Sequence, residues 1–246
     1  PASVVKELVE NALDASATEI EVVVEGAGRD RIIVSDNGSG ISSDQLSLAV
    51  ERHATSKLED GNLSSIKYLG FRGEALPSIA SVSRFSISSR KSGDSEGWVL
   101  NSNGGELDNL TPAAIGVGTR VEVRDLFYTT PARLKFLKTD RTESTMILEV
   151  VRRLAMAYPA VSFGLRADSR IMLSLTTGKS PELEGSFSRA AEILGQEFLE
   201  NSIPVDSKRE GACLKGIVSL PTYNSFGLSN EGLCIFFNHK ELSSEG

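Results

Sequence analysis

The sequence predicts an α+β fold in which a mixed β-sheet is covered by helices on one face. Two observations carry this expectation. Short β-branched stretches arrive mostly as hairpins, and helical periodicities fall between and after them, where a purely parallel sheet would alternate strand and helix strictly. With 246 residues there is material for one large or two modest domains with a real core.

The chain opens on a helix. Val5, Leu8, Val9 and Ala12 recur at helical spacing to about Ala15, and Pro1 suits a first turn, where no backbone N–H is needed. The opposite side carries Glu7, Asn11 and Asp14 at i, i+4, i+7, an amide between two carboxylates with no cation in the stripe. One reading of that stripe is an ordinary exposed face. The other is a site that holds a hard cation and activates a water.

Residues 19–25 and 31–35 read as a hairpin around Gly26-Ala27-Gly28-Arg29-Asp30. Asp36-Asn37-Gly38-Ser39-Gly40 breaks the pattern, and Ser43-Asp44 starts a second helix that runs to about Glu51. No long periodic element follows between His53 and Pro77, a stretch with the glycines and small polar residues of a mobile loop over a site. Strands are expected at 84–90, 98–101 and 118–124, then helices at 131–137 and 142–158, with Phe127, Tyr128 and Pro131 packing the core. A strand pair at 162–166 and 171–176 turns at Ala167-Asp168-Ser169-Arg170. A linker at 177–185, a helix at 186–195 and strands at 214–220 and 233–237 then begin a second, incomplete unit.

Composition excludes several classes. An apolar content of 40% with 24% charged residues is that of an ordinary globular chain. The net charge of −7 disfavours binding nucleic acid over the whole surface. A local basic patch remains: Arg133, Lys135, Lys138 and Arg141 have only Asp140 among them, which suits either a DNA backbone or a solvated helix face. Cys213 and Cys234 form no CxxC and have no histidine pair nearby, so they read as buried free thiols in a reducing compartment and neither as a zinc site nor as a disulfide framework. No apolar run approaches the roughly 20 residues of a membrane span, and no charged-then-apolar leader opens the chain. Lacking an initiator Met, the chain reads as a piece of something longer.

Two phosphate-binding motifs are absent. Thr177-Gly178-Lys179-Ser180 ends like a P-loop, but Leu173 stands where its first glycine is required. Gly38-x-Gly40 and Gly116-x-Gly118 each begin a GxGxxG, yet the last positions hold Ser43 and Val121. Four other pieces carry chemistry. They are the Glu7/Asn11/Asp14 helix; Asp36-x-Gly38-x-Gly40, a carboxylate able to accept from an exocyclic amine beside glycines that let backbone approach a flat ligand; Gly70-Phe71-Arg72-Gly73-Glu74-Ala75-Leu76, a flexible turn running into a short helical segment before Pro77, with N–H groups suited to a polyphosphate; and Gly118-Thr119, a hydroxyl at the start of a strand.

In order and content these pieces resemble the Bergerat-type nucleotide site of the GHKL family: gyrase, Hsp90, histidine kinases and MutL. Residues 5–15 (VKELVENALDA), 52–57 (RHATSK), 70–76 (GFRGEAL) and 125–133 (DLFYTTPAR) look like the MutL mismatch-repair ATPases in particular. The resemblance covers nearly the whole chain and is dense to about Leu137.

It implies an ATPase with ATP and Mg²⁺ as ligands, Glu7 as general base and Asn11 as the Mg²⁺ ligand. It implies adenine recognition by Asp36 in a pocket shaped by Gly38, Gly40 and Thr119, with Ala15 and Ile41 also among the ATP-binding residues. The phosphates would be cradled by Thr55, Ser56, Lys57 and the stretch Gly70, Phe71, Arg72, Gly73, Glu74, Ala75 and Leu76, so that 53–76 becomes a lid ordered by nucleotide. Arg72 reaches a phosphate or holds the lid by a salt bridge, and His53 reads as structural. The division implied is an ATPase domain at 1–182 and the start of an S5-like transducer domain at 183–246.

Further implied are an ATP-dependent homodimer or paralogue heterodimer, a MutS-type partner, contact with DNA through the basic patch, no membrane, and a cytoplasmic location if bacterial or nuclear if eukaryotic. A chain lacking the family's first residues and its γ-phosphate lysine is expected to bind or hydrolyse nucleotide poorly. Asn238-His239-Lys240 departs from the family's Asn-Gly-Arg turn. Two alternatives stand beside this reading: another GHKL enzyme of the type II topoisomerase kind, and a non-hydrolysing module whose assembly nucleotide controls.

Overall fold

A computed structural model describes residues 1–51, 74–177, 182–209 and 212–220, with backbone alone for 182–186, 208–209 and 212–215. The readings of His53, Thr55, Ser56, Lys57, Gly70, Phe71, Arg72, Gly73, the thiols of Cys213 and Cys234, the strand at 233–237 and residues 238–240 fall outside what it describes. The chain separates into two compact units, Pro1–Arg152 with Val161–Thr176, and Arg153–Ala160 with Thr177–Gly246.

The first unit is built on one sheet. Its strands are β1 (Glu19–Glu25), β2 (Arg31–Asp36), β3 (Arg84–Arg90), β4 (Gly97–Asn103), β5 (Glu106–Leu107), β6 (Thr111–Ala113), β7 (Gly118–Arg124), β8 (Ser162–Ala167) and β9 (Arg170–Leu175). They lie in the order β5-β4-β3-β7-β2-β1-β8-β9, with β6 also paired to β4. Only β1 and β8 run parallel, so the sheet is mixed, as expected. The β8–β9 turn places Asp168 and Ser169 at positive φ (45° and 69°), the two-residue geometry whose twist matches the flanking strands. Asp168 Oδ1 also accepts the Gly26 N–H at 3.0 Å, joining this turn to the end of β1.

Period-two alternation gives the sheet two different faces. Ile20, Val22, Val24, Ile32, Val34, Val121, Val123, Phe85, Ile87, Phe163 and Leu165 share one face and are buried. The other face carries cross-strand and same-strand ion pairs, among them Arg31 with Glu25, Arg166 with Glu21 (3.4 Å) and Arg120 with Glu122 (3.5 Å). These pairs are solvent-facing and add little each, about 0–1 kcal/mol; the fold is held by the apolar face.

Helices cover that face. They are α1 (Ala2–Asp14), α2 (Ser43–Val50), α3 (Ala75–Ala80) and the part of α5 (Asp140–Ala157) up to Arg152, whereas α4 (Pro131–Leu134) buries none of its residues. In α1, Val5, Leu8, Val9 and Ala12 are buried, at roughly 1.5–3 kcal/mol for each larger side chain, and the helix packs on β1 and β2. From α5, Ile147 approaches Gly28 and is buried, as is Val151.

Four expectations are corrected. The helical segment expected to stop before Pro77 continues through it to Ala80, because a proline in a first turn loses no intrahelical bond. The helix expected at 131–137 ends at Leu134, and Phe136 is 84% exposed. Of the predicted core residues Phe127, Tyr128 and Pro131, the first two are half-buried and Pro131 is exposed. It is Leu126 that enters the core, since Asp125 and Phe127 sit at positive φ and turn the flanking side chains outward. The linker at 177–185 is shorter than expected, for α6 (Glu182–Leu194) begins inside it.

The second unit adds α7 (Gln196–Glu200) and an antiparallel pair, β10 (Ser202–Arg209) and β11 (Ala212–Ser219), of which β10 and α7 were not predicted. Within it, the buried guanidinium of Arg189 donates to the carbonyls of Ala155 (3.2 Å) and Pro159 (3.1 Å), tying α6 to the segment 153–160.

Candidate functional site

Asp36 ends β2 at a place where the apolar face turns polar. It pairs with Ile20 on one side and Thr119 on the other, and Thr119 pairs in turn with Ser89. Directly opposed residues of neighbouring strands project to one face, so Asp36, Thr119 and Ser89 form a polar row at the end of the core. Burial is the larger influence on Asp36 and pushes its carboxyl above the ordinary carboxylate value; the backbone N–H groups of Gly38 and Thr119 pull the other way. The Gly38 bond to Asp36 Oδ1 is 2.8 Å.

The turn after Asp36 locks onto α1. Ser39 N–H donates to the Ala15 carbonyl at 2.9 Å, and a Cβ on Gly38 would come within 2.7 Å of that same oxygen and 3.0 Å of Asp36 Oδ1. Only glycine allows this approach. Across the row, Gly118 sits at φ +122°, and a Cβ there would overlap the carbonyl oxygen of Asp36. Ile41 N–H reaches Ser89 Oγ at 2.8 Å, which holds the far end of the turn to β3. Ala15, Asp36, Gly38, Gly40, Ile41 and Thr119, singled out from sequence, thus gather in one place.

Glu7 and Asn11 stand on the same helix that delivers Ala15. Both are half-buried, as is Asp14, on the side away from Val5 and Val9. Eight residues at 1.5 Å rise separate Glu7 from Ala15, about 12 Å, which is on the scale of a nucleoside triphosphate. The stripe itself carries no cation, but Lys6 beside it brings its Nζ to 3.9 Å from Glu7 Oε1. Its main partner is Glu10, buried and 2.8 Å away, and this hydrogen bond raises the Lys6 ammonium above its usual value. Glu10, not Glu7, takes most of that charge.

From the predicted phosphate loop, Glu74, Ala75 and Leu76 are described. Glu74 is exposed ahead of α3 and its carbonyl accepts the Ser78 N–H, while Ala75 and Leu76 are half-buried at the start of a helix that packs on α1 and α2. Among the described residues no group of three or more His, Cys, Asp or Glu gathers to hold a metal. The side-chain oxygen of Asn11, half-buried one turn from Glu7, is a donor of the hard kind Mg²⁺ accepts, an ion that takes one or two such oxygens and completes its shell with phosphates and water.

Sequence reasoning missed two residues. Asn37 Oδ1 accepts the N–H groups of Thr18 (2.8 Å) and Glu19 (2.9 Å), and its amide donates to Thr18 Oγ1 (2.9 Å), closing the turn from α1 into β1. Ser89 is fully buried. A signal existed for it: Phe85, Ile87 and Ser89 alternate on the inward face, and a serine at an apolar position asks for partners.

This fold and site define a class. The family model for histidine kinase-, DNA gyrase B- and HSP90-like ATPases matches residues 1–114. The MutL DNA mismatch repair protein of Bradyrhizobium diazoefficiens is 55% identical over 221 residues, 90% of this chain and 36% of that protein. That of Rhodospirillum rubrum is 50% identical over 242 residues, 98% of this chain and 38% of that protein. The Aquifex aeolicus MutL ATPase domain complexed with ADP superposes with a TM-score of 0.72 at 32% identity, covering 91% of this chain and 78% of that domain. The chain belongs to the MutL family, in its ATPase region. It spans a little over a third of the length of the curated relatives it matches.

Proposed function

We propose that this chain binds and hydrolyses ATP and serves as the nucleotide-operated switch of a MutL-type mismatch repair protein. The observation that carries the reading is that one helix bears both ends of the site. At Ala15, α1 meets the turn that positions Asp36 (Ser39 N–H to Ala15 O, 2.9 Å), and one and two turns back it presents Asn11 and Glu7.

In this reading Asp36 accepts the exocyclic amine of adenine, and Ala15, Gly38, Gly40, Ile41 and Thr119 shape the pocket for the base. Asn11 would hold Mg²⁺ through its side-chain oxygen, and the ion supplies neutralisation of phosphate charge. Glu7 orients a water and takes its proton as it attacks the γ-phosphate. Thr55, Ser56, Lys57, Gly70, Phe71, Arg72, Gly73, Glu74, Ala75 and Leu76 cradle the phosphates as a lid that nucleotide orders. Residues 1–182 are the ATPase domain and 183–246 open a transducer domain.

Binding of ATP favours pairing of two such regions, as a homodimer or with a paralogue, and hydrolysis resets them. The switch relays recognition by a MutS-type protein, and the exposed Arg133, Lys135, Lys138 and Arg141 contact a DNA backbone. No described helix is long and apolar enough to cross a membrane, and the relatives named above are bacterial, which favours the cytoplasm over the nucleus.

The test is a Mg-ATP titration read by protease protection of residues 53–76, with turnover measured alongside. Saturable protection by ATP and its loss in Asp36→Ala support the proposal; absence of binding in both chains refutes it.

A further inference from the structure

Ser89 is the centre of a proton arrangement that can be worked out from its partners. Its Oγ lies 2.8 Å from the Gly118 carbonyl oxygen, 2.8 Å from the Ile41 amide nitrogen and 2.9 Å from Thr119 Oγ1. A carbonyl has no proton to give, so Ser89 donates its single hydroxyl proton to Gly118. The Ile41 N–H donates to Ser89. With the serine proton engaged, the contact with Thr119 is a hydrogen bond only if Thr119 is the donor. Ser89 therefore gives one bond and accepts two, which fills the capacity of a hydroxyl with no exposure to water.

The consequence falls on Thr119. Its hydroxyl proton points at Ser89, away from Asp36 on the opposite strand, and what remains of its oxygen is acceptor. Ionised Asp36 is also an acceptor. The polar end of the core thus presents acceptors from two neighbouring side chains and a hydroxyl proton from neither.

We propose that Ser89 is a specificity-determining positioning residue: by holding the Thr119 proton, it makes the base pocket select purines with a 6-amino group over those with a 6-oxo group. This rests on the nucleotide-binding reading above. A 6-amino purine brings donors to the acceptor pair, whereas a 6-oxo purine sets its own acceptor against them and leaves buried polar atoms without partners. Without Ser89 the Thr119 hydroxyl turns freely and can donate to a 6-oxo group.

The experiment measures binding of ATP, ITP and GTP with Mg²⁺ to the full chain and to Ser89→Ala. The wild-type chain is expected to prefer ATP over ITP by at least about a hundredfold, and Ser89→Ala to lower that ratio about tenfold or more by gaining affinity for ITP. Loss of affinity for all three nucleotides in equal measure would mean that Ser89 only supports the fold, and overturns the proposal. Should Ser89→Ala fail to fold, the wild-type ratio and the position of the Thr119 hydroxyl proton, by NMR contact with the Ser89 methylene, decide it. Equal binding of ATP and ITP, or a proton directed at Asp36, overturns it. If no nucleotide binds the wild-type chain, the functional reading itself falls and takes this inference with it.

Discussion

The carbonyl of Ala15 accepts the backbone N–H of Ser39 at 2.9 Å, and through this bond the last turn of α1 is joined to the turn that follows Asp36. A displacement of the helix by a fraction of an ångström would be felt at the carboxylate, because Gly38 leaves no slack between Ala15 and Asp36 Oδ1. The two ends of the proposed site are therefore set by one rigid element, the most dependable way to hold groups at a fixed separation.

That rigidity makes Glu7 separable from binding. Glu7→Ala is expected to lower ATP turnover roughly 100-fold to 10,000-fold while nucleotide affinity changes little, since Asp36 and the turn are untouched. Steady-state hydrolysis and calorimetric titration check this together. Unchanged turnover would remove Glu7 from the general-base role.

The Asp36 carboxyl titrates above its ordinary value because it is buried. With the folded value above the unfolded one, the folded state binds the extra proton in the window between the ordinary carboxylate value and the raised one. Stability therefore falls as pH rises through that window and levels off above it. Carboxyl-carbon NMR should place the midpoint above that of a free aspartate. Asp36→Asn should flatten this part of the stability profile in urea melts at a series of pH values.

Gly118 is at φ +122°, with the carbonyl of Asp36 where a Cβ would stand. Gly118→Ala combines backbone strain with that overlap and is expected to cost about 3 kcal/mol or more. Chemical denaturation gives the number, and a variant of wild-type stability would show that the β2–β7 approach is looser than described.

Asn37 makes three side-chain hydrogen bonds across the turn from α1 to β1. Asn37→Ala hands two solvent-reachable backbone N–H groups to water, at a cost of roughly 0.5–1.5 kcal/mol for each hydrogen bond lost. Faster amide exchange at Thr18 and Glu19 is the specific readout, since a general loss of stability would not be confined to them.

If Arg133, Lys135, Lys138 and Arg141 contact phosphates, each replacement by alanine should weaken duplex DNA binding evenly across sequences and reduce the slope of log affinity against log salt by about one. A slope that does not move assigns the patch to solvent.

How much of this was legible in the sequence follows from which interactions are local. The amphipathic pattern of α1, the alternation in β1, β2, β3 and β7 and the glycine-bearing turn after Asp36 are written in periods of 3.6 and 2 and in conformations only glycine tolerates, so they can be read along the chain. That Ala15, Asp36, Gly38, Gly40, Ile41 and Thr119 belong together was legible only through the resemblance to the GHKL family, since no period along the chain joins them. The tertiary structure decided what depends on strand neighbours: that β7 inserts between β3 and β2, and so that Thr119 stands between Ser89 on one side and Asp36 on the other. It also decided that Lys6 turns to Glu10, and that Leu126 enters the core while Phe127 does not. Such outcomes rest on contacts between residues far apart in sequence and on positive-φ positions imposed by packing, and neither leaves a periodic trace in the order of the amino acids.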